Sequence, residues 1–298
     1  MLFRNLALAM LCCTLPGSTL ADASMTGWMT DPALDEVSGM AASHAYPGTL
    51  WVENDSDNPA DIYAVSPGGS LRATLHVDGA PNIDWEDFAS FDLDGHHYLL
   101  LADTGDNGGI RKTLALHVIE EPKQLRDAHV RPAWSIAFRW PDGPRDCEAV
   151  AVDVRTMSIL LITKKRVPAQ LFRLPLRPTA SGVLTAELLG TLAAIPQPTA
   201  DEIAAAPHYA KYLSQITAAD IAPDRSSIAI LTYRRAYLYR RRMDEDWAQA
   251  VAHEPIQLSF GWLPQAEALA FALDGRSFYV SGEHLPAPIM QVNIPASH

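Results

Sequence analysis

Cysteine is scarce in this chain: three residues in 298, two of which, Cys12 and Cys13, fall close to the N-terminus. The rest of the chain holds only Cys147, so no disulfide inside it is available and the core has to supply the stability. Flanked by Asp146 and Glu148, that thiol is expected to be structural, with a raised pKa. Basic residues are also few, 23 Lys and Arg against 35 Asp and Glu, for a net charge of −12. That balance argues against nucleic acid or an anionic lipid surface as partner and is compatible with a bound cation. Familiar catalytic signatures are missing as well. There is no Gly-x-Ser-x-Gly elbow, no His-Glu-x-x-His and no phosphate-cradling glycine loop. His253-Glu254 runs into Pro255, and Asp55-Ser56-Asp57-Asn58 lacks the glycine and distal glutamate of an EF-hand loop. A serine hydrolase or a zincin is therefore not expected.

The N-terminus reads Met1-Leu2-Phe3-Arg4, an apolar run from Leu6 to Leu15, and the small-residue end Thr19-Leu20-Ala21. These are the parts of a secretory signal peptide, with cleavage expected after Ala21. Pro16-Gly17-Ser18 interrupts the run well short of the ~20 apolar residues of a membrane span. Neither Cys12 nor Cys13 is preceded by the small residues of a lipoprotein processing site. The expectation is a periplasmic or secreted protein, monomeric, without a transmembrane segment in residues 22–298. Loss of the first 21 residues takes the net charge to −13, because they carry Arg4 and no acid.

What is present is a repeat. Asp146-Cys147-Glu148-Ala149-Val150-Ala151 returns in variant form at Glu36–Ala41, Asp84–Ala89, Gln215–Asp220 and Gln265–Ala270. Aligned, the copies give a middle polar column, Ser38, Glu86, Glu148, Thr217 and Glu267. Two residues earlier lies a second column, Glu36, Asp84, Asp146, Gln215 and Gln265. Each copy is followed by short apolar runs separated by turn residues, such as Asp94-Gly95, which read as antiparallel strands. Repeats of roughly 40–50 residues, each holding several short strands, indicate a propeller. The fold class is all-β: a β-propeller of four-stranded antiparallel blades, five by count, with six still open because two of the spacings are long. The last unit is one strand short, and the segment around Thr26–Met29 is the spare strand expected to complete it and close the ring. Ala41, Ala89, Ala151 and Ala270 stand three places after the middle column, where inner strands crowd; Asp220 breaks that rule. Thr199–Ala206, with Thr199 and Glu202 spaced as a capping box, predicts a short helix ended by Pro207.

In such blades the starts of the first strands and the ends of the second strands share one face near the axis. That face collects Glu36, Asp84, Glu86, Asp146, Glu148 and Glu267 with the second-strand ends Glu53-Asn54-Asp55, Asp103-Thr104-Gly105-Asp106-Asn107, Lys164-Lys165-Arg166, Tyr233-Arg234-Arg235 and Glu283-His284. Converging carboxylates raise one another's pKa, and a hard cation with oxygen ligands, Ca²⁺ in particular, would relieve them. Candidate ligands are Glu86, Glu148 and Glu267, with Asn54, Asp103 and Asn107 next. A salt-bridged network with Lys164, Lys165, Arg234 and Arg111 is the competing account of the same acids. Lys164, Tyr233 and Arg234 are candidates for holding an anionic small molecule, and Asp103 and His284 for proton transfer.

The set Glu36-x-Ser38-Gly39, Asn54-Asp55-Ser56, Asp84-Trp85-Glu86-Asp87, Ala102-Asp103-x-Gly105-Asp106-Asn107, Glu148-Ala149, Thr163-Lys164, Thr232-Tyr233 and Glu267-Ala268 resembles a family of exported bacterial β-propeller proteins of mostly unassigned function. More distantly it resembles the calcium-dependent propellers that include gluconolactonases, paraoxonase-like lactonases and β-propeller phytases. That second resemblance implies a central Ca²⁺ held by Glu, Asn and Asp, with Glu86, Glu148 and Glu267 matching by position, and a metal-dependent hydrolase of an ester, lactone or phosphoester. Ser38 and Thr217 depart from that pattern. The alternative is a non-catalytic propeller whose face binds a small anionic ligand or an envelope protein.

Overall fold

The computed structural model describes residues 22–179, 181–261 and 263–296; the expected signal peptide, 1–21, lies outside them. The chain opens with β1 (Ala23–Met29) and then builds five sheets in sequence. Blade one holds β2 (Val37–Ala42), β3 (Leu50–Asn54), β4 (Asp61–Val65) and β5 (Leu71–Val77). Blade two holds β6 (Trp85–Leu93), β7 (His96–Asp103) and β8 (Leu114–Glu120), and after the short β9 (Ala128–Val130) it is completed by β10 (Trp134–Arg139). Blade three holds β11 (Cys147–Asp153), β12 (Ser158–Thr163), β13 (Gln170–Pro175) and, after the short β14 (Leu184–Thr185), β15 (Glu187–Thr191). After helix α1 (Ala200–Ala205), blade four holds β16 (Ile216–Ile221), β17 (Ser227–Thr232) and β18 (Ala236–Arg240), then a one-turn helix α2 (Trp247–Ala250) and β19 (Ile256–Leu258). Blade five holds β20 (Ala266–Phe271), β21 (Ser277–Gly282) and β22 (Ala287–Asn293), with β1 as its outer strand.

The described residues form five blades, and among them the long spacings hold no sixth. The extra length between the second and third copies contains β9, which adds in parallel to β5 of blade one. The extra length between the third and fourth contains α1. The run Leu184–Leu192, which reads as one strand, is two: β14 pairs in parallel with β10 of blade two, whereas β15 pairs antiparallel with β13. These exchanges knit neighbouring blades and cover sheet edges that would otherwise offer unpaired backbone groups.

Inner strands are apolar on both faces because each blade packs on two neighbours. Five apolar clusters result, one between each adjacent pair of blades. The cluster between blades five and one joins Met40, Val52 and Tyr63 to Ala268, Ala270 and Ile289. Strand β1 pairs antiparallel along β22, from Ala23 opposite Val292 to Met29 opposite Ala287. It also touches blade one, where the Thr26 hydroxyl donates to Pro67 O at 2.7 Å. Gly69, at φ +87°, lets the chain pass so closely that a Cβ there would lie 2.0 Å from Trp28 O. Cys147 is fully buried, with its thiol pushed up to about 12, first by burial. Among the described residues no helix is long and apolar enough to cross a membrane.

Candidate functional site: an acidic chamber on the propeller axis

The middle polar column has a backbone cause. In all five blades the pairing of first and second strand slips by one residue at that column. Val37 and Gly39 face Asn54 and Glu53, Trp85 and Asp87 face Asp103 and Ala102, and Cys147 and Ala149 face Thr163 and Ile162. The same holds for Ile216 and Ala218 against Thr232 and Leu231, and for Ala266 and Ala268 against Gly282 and Ser281. Ser38, Glu86, Glu148, Thr217 and Glu267 are each the extra residue of a β-bulge, a device that re-aims one side chain at a sheet rim.

The two hydroxyls in the column reach the neighbouring blade. Ser38 Oγ donates to Glu86 O at 2.9 Å and Thr217 Oγ1 to Ala266 O at 2.7 Å. The three glutamates are buried instead in a common chamber, at 3%, 2% and 6% exposure for Glu86, Glu148 and Glu267. Glu86 Oε1 and Asn54 Oδ1 have no hydrogen-bond partner, while the fully buried Glu53 faces the Gly39 backbone N–H and Glu267 meets Glu283. Gly39 leaves room for Glu53: a Cβ there would lie 2.6 Å from Glu53 Oε1. Gly105 does the same for Glu86 and Asp84, whose carboxylates would lie 2.1 and 2.4 Å from its Cβ.

Two groups of carboxylates bring their oxygens close enough to share an ion, Asp55 with Asp84 and Glu86, and Glu86 with Asp146 and Glu148. Glu86 belongs to both. Burial is the main cause that pushes Glu86 well above the usual carboxylate range, followed by Glu148 and Asp55. Burial likewise raises Glu53, with Asp55 and Glu267 adding to it. Asp84, half-buried, is pushed up to about 6 by burial and by Asp55, against the pull of Arg111.

Cations meet part of this charge. Lys164 Nζ binds Glu148 directly and lies 5.5 Å from the centre of the Tyr233 ring. Burial works against its charge, but Glu148, Tyr233 and Glu86 hold its pKa above the usual lysine range. Lys165 pairs with Asp146 at 2.7 Å and Arg111 with Asp103 at 2.7 Å. Tyr233 donates to Glu267 Oε1 at 2.5 Å, and its own pKa is raised, first by burial.

Not every residue singled out from the sequence reaches this chamber. Asn107 is exposed and accepts from Lys165 Nζ at 2.6 Å. His284 is exposed, with Nε2 3.0 Å from Gln265 Oε1. Asp103 is buried, bound by Arg111 and accepting from Asp84 N at 3.1 Å. Arg234 pairs with Glu202 at 2.9 Å, which ties the α1 insertion to blade four. The predicted capping box is formed: Thr199 Oγ1 accepts from Glu202 N at 3.2 Å and Glu202 Oε2 from Thr199 N at 2.8 Å.

Beside the chamber the insertion walls a cavity of about 520 Å³, lined by Lys164, Lys165, Tyr233, Asn107, Tyr209 and Tyr212 among others. A larger groove of about 980 Å³ runs along the rim of blades four and five past Arg240, Arg241 and Arg242, and none of the axial acids lines it.

Two carboxylates further along the axis were not singled out for chemistry. Asp87, fully buried, accepts from Phe88 N, from Val150 N at 2.7 Å in blade three and from Ala219 N at 3.2 Å in blade four. Asp220 keeps the common register and accepts from Phe271 N of blade five at 2.8 Å; burial pushes it up to about 7. They fasten inner strands to each other across the axis.

No protein-family model matches this chain, and no curated protein matches it in sequence. The function is therefore argued from the site.

Proposed function

We propose that the axial chamber binds a divalent cation of the calcium class through Glu86 and the carboxylates beside it. We further propose that the exported protein uses it to hydrolyse an anionic ester, lactone or phosphoester taken up in the 520 Å³ cavity. The observation that carries this reading is Glu86: buried, common to two carboxylate groups, with an oxygen that meets no donor. Gly105 supports it, because any side chain there would fill the space between Glu86 and Asp84. An all-oxygen donor set, with Asn54 Oδ1 also unpartnered, suits a hard cation such as Ca²⁺.

When bound, such an ion polarises an ester or phosphoryl oxygen. In the reaction water adds at carbon or phosphorus, the bond to the leaving oxygen breaks, and that oxygen takes a proton. Asp84, half-buried beside Glu86, stands closer to such a chemical centre than the exposed His284 and is the candidate to carry that proton. Asp103, held by Arg111 and accepting from Asp84 N, is a positioning residue in this scheme. Lys164, Lys165 and the tyrosines offer charge and ring faces to an anionic substrate.

A second reading has its own observation. Lys164, Lys165 and Arg111 already pair with Glu148, Asp146 and Asp103, so the chamber can be a salt-bridged axis. The propeller would then bind a small anion or an envelope protein without turnover.

Calorimetric titration of Ca²⁺ into chelator-treated protein, repeated with Glu86→Gln, separates the two. Heat that the variant weakens tenfold or more, with chelator-sensitive turnover in an ester, lactone and phosphoester screen, is expected. Binding without turnover leaves the ion with the non-catalytic reading. No binding of Ca²⁺, Mg²⁺ or Mn²⁺ removes the ion altogether.

A further inference from the structure

At the opposite end of the axis the β6–β7 hairpin sets Asp92 and His97 directly opposite each other. The β2–β3 turn of blade one brings His44 to the same carboxylate. His97 Nδ1 lies 2.6 Å and His44 Nδ1 3.0 Å from Asp92 Oδ1, with the two ring centres 6.4 Å apart. About six strand residues separate Asp92 from Glu86, or about 20 Å at strand rise, so this cluster is independent of the acidic chamber.

We propose that His44, Asp92 and His97 form a second metal site, for a borderline transition-metal ion of the Zn²⁺ class. Two imidazole nitrogens and one carboxylate oxygen are the donor set of such ions, and a different one from the all-oxygen chamber. The arrangement is close to preformed. In a tetrahedral site with bonds of about 2.0 Å the ligand atoms stand about 3.3 Å apart. The present nitrogen–oxygen separations of 2.6 and 3.0 Å need open by well under 1 Å. As it stands, one carboxylate oxygen meets two imidazole nitrogens, and an ion in place of their protons would satisfy all three.

A single buried residue fixes both histidine backbones. The Glu121 carboxylate accepts from His44 N at 2.9 Å, Ala45 N at 3.3 Å and Trp51 Nε1 at 2.8 Å, and also from the Ser43 hydroxyl. The Glu121 N–H donates to His97 O at 2.9 Å. Support of this kind from outside the ligand set is what holds a metal site in geometry. His44 and Asp92 line a cavity of about 440 Å³ that also takes in Arg225 and Leu273, leaving a remaining coordination position open to water or an anion.

The test is competition for Zn²⁺ between the purified, chelator-treated protein and a chromophoric chelator, for the wild type and for His44→Ala, His97→Ala, His97→Gln and Glu86→Gln. Thermal melts verify that each variant is folded. The expected result is one Zn²⁺ per chain, weakened about tenfold or more by each histidine substitution and unchanged by Glu86→Gln. Co²⁺ loaded into the same site should give visible bands that disappear in His97→Ala. No Zn²⁺ binding, or binding that folded histidine variants leave unchanged, overturns the proposal. Zn²⁺ binding lost in Glu86→Gln alone overturns it too, by assigning the ion to the acidic chamber.

Discussion

Among the described residues Lys164 is the one buried cation that faces Glu148, Glu86 and Glu267 together, and its replacement isolates what the acids cost when left alone. Lys164→Met leaves Glu148 at 2% exposure with no counter-charge. The expected loss at neutral pH, in urea unfolding without metal, is about 3–5 kcal/mol, the size found when one partner of a buried ion pair is removed. Lys164→Met combined with Glu148→Gln should recover most of that loss, because the orphaned charge goes with it. A single-variant loss below about 1 kcal/mol would mean that the acids are neutralised by protons rather than by Lys164. The residues of this chamber were partly legible in the sequence. Glu86, Glu148 and Glu267 stood in a repeating column, and the column marks the bulge that turns each side chain inward. Glu53 was placed on the same face as part of a second-strand end, but not as a buried member of the chamber, because its inward direction depends on Gly39 across the pair. The His44, Asp92 and His97 cluster left no signal: its members are joined by blade-to-blade packing rather than by spacing.

At the level of the strand, β1 stands apart, because it crosses from the start of the chain to the last blade while lying against the first. Its fit depends on the turn at Ser66–Gly69. Gly69→Ala introduces a side chain at φ +87° and, in addition, a Cβ 2.0 Å from Trp28 O. Gly79 has nearly the same conformation, φ +83°, with nothing within 4 Å. Comparing the two variants separates backbone strain from lost packing. Gly79→Ala should cost about 1 kcal/mol, and Gly69→Ala roughly 3 kcal/mol or more, with faster hydrogen exchange along β1 and β22. Equal costs would show that β1 contributes little to holding the last blade. Most of the strand order could be read in advance because short apolar runs and Asp-Gly or Pro-Gly turns repeat. The parallel additions β9 and β14 could not: two- and three-residue strands have no periodicity, and only the neighbouring blade's edge calls them into pairing.

For the molecule as a whole, the axial acids set an unusual dependence of stability on pH. Burial raises Glu53, Glu86, Asp87 and Glu267 well above the usual carboxylate range, pushes Asp220 up to about 7 and Asp84 up to about 6, while Glu148 keeps its charge against Lys164. A carboxyl whose native pKa is raised binds protons in the folded chain that the unfolded chain has released. Stability therefore increases as pH falls through the native value, and the gain is complete once the unfolded value near 4 is passed. Asp92, Glu202 and Glu245 are lowered instead, and their opposite contribution is lost only below that range; the buried His117, also held low, works against the gain as pH falls through the ordinary histidine range, one group against several axial acids. The metal-free protein should consequently melt at a higher temperature near pH 5 than near pH 8, the reverse of ordinary acid destabilisation. If an ion occupies the chamber, saturating Ca²⁺ should raise the melting temperature mainly at the alkaline end and flatten the profile, since the ion takes the place of the protons. A flat profile without Ca²⁺, or one that falls towards pH 5, would mean that the axial carboxylates are already balanced by Lys164 and its neighbours. The propeller would then need no cation to keep its centre together.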